Sequence, residues 1–122
     1  MKKIVLILSM LFSFALVNAQ SSVFEEESDV VSFMNSKVFY NSDNGLEIQY
    51  TYTSMYNTYA IKVTNKNGVN FFYVNCDITT YVDFADVFGM SPENGSNFGF
   101  RVYKNRLIVG RGQAKESTYY LK

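Results

Sequence analysis

Arg101, Arg106 and Arg111 gather near the C-terminal end of the sequence, with Tyr103 between the first two. Guanidinium groups beside an aromatic ring can grip a carboxylate, a phosphate or a partner protein, and arginine and tyrosine recur where a few residues dominate binding. Charge at such positions also protects strand edges from pairing with other chains. Arg101, Tyr103 and Arg106 are therefore candidate binding residues. Tyr56, at the tip of a loop, is the fourth.

The carboxylates Asp77, Asp83, Asp86 and Glu93 fall within one short stretch. Two of them in one cleft could hydrolyse a glycosidic bond or hold a metal ion, yet nothing in their spacing forces a pair together. Asp43, Asn44 and Glu47 hold part of a calcium-loop pattern but lack its remaining oxygen ligands. No catalytic residue, metal ligand or cofactor is assigned. Cys76 is the sole thiol, and a nucleophilic cysteine wants a histidine or another cation to stabilise its thiolate. The chain has no histidine, so a buried structural thiol is expected. Gly110, Arg111, Gly112 and Gln113 make no phosphate loop, since the lysine and following helix are missing.

The elements that must position these groups are short. Apolar and polar residues alternate in runs separated by Asn, Gly, Asp and Ser clusters, the pattern of half-buried antiparallel strands joined by tight turns. Facing residues of a hairpin share one side of the sheet, which lets the register be tested. With Asn67 and Gly68 as a two-residue loop, Val63 faces Phe72, Ile61 faces Val74 and Tyr59 faces Cys76, all inward. A four-residue loop from Met55 to Thr58 places Tyr52 opposite Ile61 and Tyr50 opposite Val63. A three-residue loop of Asp43, Asn44 and Gly45 places Tyr40 opposite Ile48 and Val38 opposite Tyr50. In this scheme Phe39, Phe71 and Tyr73 fall on the second face. Lys104 and Asn105 as a two-residue loop set Val102 against Leu107 and Phe100 against Val109, with Arg101 and Arg106 pointing outward.

Seven strands result, over 37–41, 46–54, 59–64, 69–76, 97–103, 106–110 and 117–121. Val30, Val31 and Met34 share a helical side over 28–35, and Tyr81, Phe84, Ala85 and Phe88 have helical spacing that predicts a second short helix over 81–88. The fold class is α+β, mostly β: an N-terminal helix plus an antiparallel meander of about seven strands, able to curl into a partly closed barrel.

Lys2 and Lys3 followed by the largely apolar run Ile4 to Val17 and by Val17, Asn18 and Ala19 have the form of a secretory signal peptide cut after Ala19. The apolar run is shorter than the roughly 20 residues a membrane-spanning helix needs. Residues 1–19 are then the signal and 20–122 a single small β-rich domain, secreted or periplasmic, with no membrane span. Removing the signal leaves 9 basic against 11 acidic side chains, a net charge of −2. Nucleic-acid binding normally needs a basic excess, so that class is disfavoured.

The composition favours a non-enzymatic exported binding or interaction module for a protein or small-molecule ligand. A small carboxylate-dependent hydrolase and a structural subunit that assembles through sheet edges are the alternatives.

Overall fold

The structure is a computed structural model and describes residues 23–110 and 115–122. The signal segment, Arg111, Gly112 and Gln113 lie outside the described residues. The described residues form one helix, α1 (Glu27–Met34), and eight strands: β1 (Phe39–Tyr40), β2 (Glu47–Thr53), β3 (Thr58–Thr64), β4 (Asn70–Thr80), β5 (Ala85–Met90), β6 (Asn97–Val102), β7 (Arg106–Val109) and β8 (Ser117–Leu121). Each strand pairs antiparallel with the next, and β1 pairs with β8 to close a barrel. The mostly β, α+β class holds, with full closure in place of a partial one.

Helix α1 starts where Asp29 reaches back to accept the N–H groups of Glu25 and Glu26 at 3.1 and 3.0 Å, satisfying donors that a helix start would leave orphaned. Its inner side sends Val30 and Met34 into the barrel core. Val23 N–H donates to Val82 O at 2.8 Å, tying the lead into the helix to the β4–β5 turn. Together with Phe24, which packs edge-on against Phe33, α1 covers one end of the barrel. No helix among the described residues is long and apolar enough to cross a membrane.

The interior is packed by Phe39, Ile48, Tyr50, Ile61, Val63, Ala85, Val87, Phe100, Val102, Leu107 and Tyr119. Burying each Val, Leu, Ile or Phe side chain of this set contributes roughly 1.5–3 kcal/mol. The β6–β7 hairpin has the expected register: Phe100 faces Val109, Arg101 faces Ile108 and Val102 faces Leu107.

The earlier hairpins differ from expectation, and side chains explain why. In the β1–β2 turn, Asn41 Oδ1 accepts from the N–H groups of Asp43 and Asn44 at 2.8 and 3.1 Å, while Asn41 N–H donates to Leu46 O at 3.1 Å. The loop is therefore four residues, 42–45, with Gly45 left-handed at φ 72°. The added residue slips the register by one: Phe39 faces Ile48 and is fully buried, and Tyr40 turns outward opposite Glu47. In the β3–β4 turn, Asn65 Oδ1 accepts from Asn67 and Val69 N–H at 2.9 and 3.0 Å, and only Gly68 has positive φ, 80°. A two-residue turn with two left-handed positions gives way to a three-residue loop, 66–68. Val63 then faces Phe71 and Ile61 faces Tyr73. By this register Phe72 and Val74, expected inside, take the outer parity, where Val74 is nonetheless buried, while Phe71 and Tyr73 take the inner parity, Phe71 remaining 47% exposed.

The β2–β3 loop spans 54–57, so Tyr50 faces Ile61 and Tyr52 faces Tyr59. This two-residue shift preserves the faces, because side chains alternate with period two. Tyr50 is buried and stacks on Tyr59 with ring centroids 5.7 Å apart.

The segment expected as a helix over 81–88 is instead a turn followed by β5. Tyr81 N–H donates to Phe84 O at 2.8 Å, and from there Ala85, Val87 and Gly89 point in while Asp86, Phe88 and Met90 point out. Helical spacing over four residues is outweighed by ladders to β4 and β6 on both sides. Strand β4 carries one extra residue between Val74, opposite Met90, and Asp77, opposite Phe88. Asn75 sits at this bulge with φ 55°. The bulge reverses the alternation, so Cys76 and Ile78 join the inner side.

Candidate functional site

Arg101 and Arg106 stand on the outer face of the β6–β7 hairpin, where the sequence places them, but their surroundings differ. Asp86 projects outward from β5 opposite Arg101. Arg101 Nε and Nη2 donate to its two carboxylate oxygens at 2.8 and 3.0 Å, a bidentate pair. The hydrogen bond it donates to Asp86 raises the Arg101 pKa above its ordinary value. The guanidinium also lies 3.6 Å from the ring centroid of Phe84, and its side chain is only 13% exposed.

Arg106 stacks over Tyr103, 4.1 Å from the ring centroid, and donates to Asn105 Oδ1 at 3.1 Å. Among the described residues it makes no ion pair. Opposite it on β8 lies Tyr120, 59% exposed. Tyr120 in turn faces Tyr40 on β1, and the Lys122 ammonium sits 5.6 Å from the Tyr40 ring while pairing with Glu47. Phe84 and Tyr103 are 5.6 Å apart. The outer wall thus alternates aromatic rings and cations from Phe84 to Tyr40. Tyr40 and Tyr120 were missed by the sequence reading; once the β1–β2 loop is four residues long, Tyr40 is outward by alternation.

A shallow groove of about 430 Å³ runs beside this wall, with Phe88, Gly99 and Ile108 between Asn97 and the Asp86–Arg101 pair.

Tyr56 lies elsewhere. It folds from the β2–β3 turn toward Phe72, ring centroids 6.0 Å apart. There it shares a cavity of about 120 Å³ with Phe71, Tyr73 and the β5–β6 loop residues Ser91, Glu93, Asn94 and Ser96.

The carboxylates are dispersed. Asp86 is held by Arg101, Asp77 is on β4, Asp83 is in the β4–β5 turn and Glu93 is in the β5–β6 loop. Among the described residues no group of three or more Cys, Asp or Glu side chains is placed to hold a metal ion. Glu47, part of the calcium-loop pattern, pairs with Lys122. Cys76 donates its thiol hydrogen to Tyr73 O at 3.3 Å, and burial pushes its pKa up, with the nearby Asp77 charge adding to the rise.

The fold and surface define an eight-stranded up-and-down antiparallel barrel with a packed core, a helix over one end and an aromatic, cationic outer wall. No protein-family model matches the chain, and no curated protein or solved structure is significantly similar to it.

Proposed function

We propose that the protein is a non-enzymatic, exported binding module that holds its partner on the outer face of β6, β7 and β8. The observation that carries this reading is the contrast between the two arginines. Arg101 is neutralised by Asp86, whereas Arg106 is stacked on Tyr103 without a carboxylate partner among the described residues and lies across from the exposed Tyr120. A rigid two-residue hairpin presents Arg106 and Tyr103 at low ordering cost. The partner chemistry that suits them is a carboxylate flanked by apolar surface, on a protein or a small molecule. Lys2, Lys3 and the apolar run after them support export.

The test is capture of partners from the native surroundings by the chain lacking residues 1–19, compared with Arg106→Ala and Tyr120→Ala variants. Each change is expected to weaken capture about tenfold, equivalent to about 1.4 kcal/mol, with the melting curve nearly unchanged. Capture that survives both changes would place the binding surface elsewhere.

A further inference from the structure

The cavity beneath Tyr56 opens where the β4–β5 ladder ends. Asn70 to Tyr73 pair with β3, but the β4–β5 ladder begins only at Val74 and Met90. Beyond that point the chain leaves β5 as the 91–96 loop, and a notch opens between this loop and the first half of β4. Because the notch lies at the side of a strand, residues from both faces of β4 line it: Phe71 and Tyr73 from the inner side, Phe72 from the outer. Tyr56 closes it from above, its ring tilted 61° to that of Phe72.

We propose that this notch, formed by Tyr56, Phe71, Phe72, Tyr73 and Glu93, binds an organic ammonium group. Aromatic rings set at an angle to one another surround a cation with the negative faces or hydroxyl edges of their π-systems, the arrangement used to recognise quaternary and alkylated ammonium heads. Among the described residues Glu93 is the charged side chain lining the notch, and no lysine or arginine lines it. Lys62, in register with Phe72 on β3, is not among the lining residues. Two side-chain oxygens of the lining are already engaged: Asn70 Oδ1 accepts from the Thr64 hydroxyl, and Asn94 Oδ1 accepts from Ser96 N–H. A volume of about 120 Å³ leaves room for a small head group such as trimethylammonium.

The loop is set in place before any ligand arrives. Ser91 N–H donates to Ser96 O at 2.7 Å, Gly95 N–H donates to Ser91 O at 2.9 Å, and Glu93 N–H donates to Ser91 Oγ at 3.3 Å. A loop closed in this way loses little backbone freedom on binding. This site is on different elements from the Tyr103–Arg106 face and stands independently of it.

Choline and its neutral carbon isostere 3,3-dimethylbutanol, titrated into the isotopically labelled protein and followed by amide resonances, test the proposal. Choline is expected to shift the resonances of residues 70–73 and 91–96 and to bind at least tenfold more tightly than the alcohol. Glu93→Gln and Tyr56→Leu should each weaken it about fivefold or more; Glu93 is exposed, so the first variant keeps its fold. A peptide carrying Nε-trimethyllysine distinguishes the sources: tighter binding than choline assigns the site to a side chain of a partner protein, and weaker binding assigns it to a free amine. Equal binding of choline and the alcohol, shifts confined to other surfaces, no shifts at millimolar choline, or an unchanged affinity in Glu93→Gln would each overturn the proposal.

Discussion

Arg101 and Asp86 face each other across β5 and β6 with two parallel hydrogen bonds of 2.8 and 3.0 Å on the outside of the barrel. The pair bridges the segment that follows the β4–β5 turn to the hairpin carrying Tyr103 and Arg106, and Phe84 covers the guanidinium. Asp86 is 41% exposed at its side chain, so solvent screens part of the attraction. Arg101→Ala should destabilise the protein by about 1–2 kcal/mol through the lost bidentate pair and the lost stacking. Arg101→Lys should recover little of it, because an ammonium cannot reproduce the planar fork. A double-mutant cycle with Asp86→Asn, read by urea unfolding, should give a coupling near 1 kcal/mol. A coupling of zero would mean that the pair is an ornament of the surface.

Cys76 should be slow to react in the folded protein. Its thiol is half-buried beside Gly89, where a Cβ would come within 3.1 Å of Sγ, and its hydrogen is engaged by Tyr73 O. Burial raises its pKa, which lowers the thiolate fraction that reagents attack. Labelling with a thiol reagent at neutral pH is expected to be many times slower than in denaturant. Rapid stoichiometric labelling of the native state would contradict the inward placement.

The C-terminal hairpin was legible because Lys104 and Asn105 have no competing side-chain hydrogen bond to the turn, so apolar matching alone sets Val102 against Leu107. The β1–β2 and β3–β4 turns hold asparagines that bond to the turn backbone, and matching misjudged them. Asn41 and Asn65 each capture two backbone N–H groups with a side-chain oxygen, which lengthens a loop by one residue and exchanges the faces of the adjoining strand. Cys76 was placed inward by a register that is off by one, and the Asn75 bulge, invisible to alternation, restores the parity. Strand β5 was misread because Tyr81, Phe84, Ala85 and Phe88 fit helical spacing, while the non-local ladders that decide the matter leave no local trace. Of the outer wall, the outward direction of Arg101 and Arg106 was readable. That one arginine is neutralised and the other is not depends on where Asp86 lands, which required β5 to be a strand.

Asn75 holds the left-handed conformation at the bulge with φ 55°. Asparagine tolerates it at modest cost, glycine adopts it freely and a β-branched residue is strained there. Asn75→Gly should leave stability within about 1 kcal/mol of the parent, since relief of strain is offset by added freedom in the unfolded chain. Asn75→Val should destabilise by about 1–3 kcal/mol. Because the bulge also turns Cys76 inward, the valine variant should label faster at Cys76 under native conditions. An unchanged melting curve and an unchanged labelling rate together would show that β4 carries no bulge at this position.

Tyr50 gives the fold a limit at alkaline pH. Burial pushes its pKa up to about 12, with Cys76, Glu27 and Tyr59 adding to the rise, from the ordinary 10.0 of an unfolded chain. Between these values the folded state keeps a proton that the unfolded state has released, so the unfolded state binds fewer protons and stability falls as pH rises. The contribution is fully present below pH 10 and is lost as pH passes through 10 toward 12. Tyr119 acts in the same direction: burial raises its pKa, against a lowering by the hydrogen bond from Asn44 Nδ2. Thermal melts are therefore expected to give a midpoint that is flat with respect to tyrosine ionisation below about pH 9.5 and declines steeply above pH 10. Tyr50→Phe should flatten most of that decline while removing only a hydroxyl from the core, and absorbance at the tyrosinate band should show Tyr50 ionising only as the protein unfolds. A wild-type decline of the same size in the Tyr50→Phe variant would assign the alkaline limit to other groups and leave Tyr50 an ordinary tyrosine of the barrel wall.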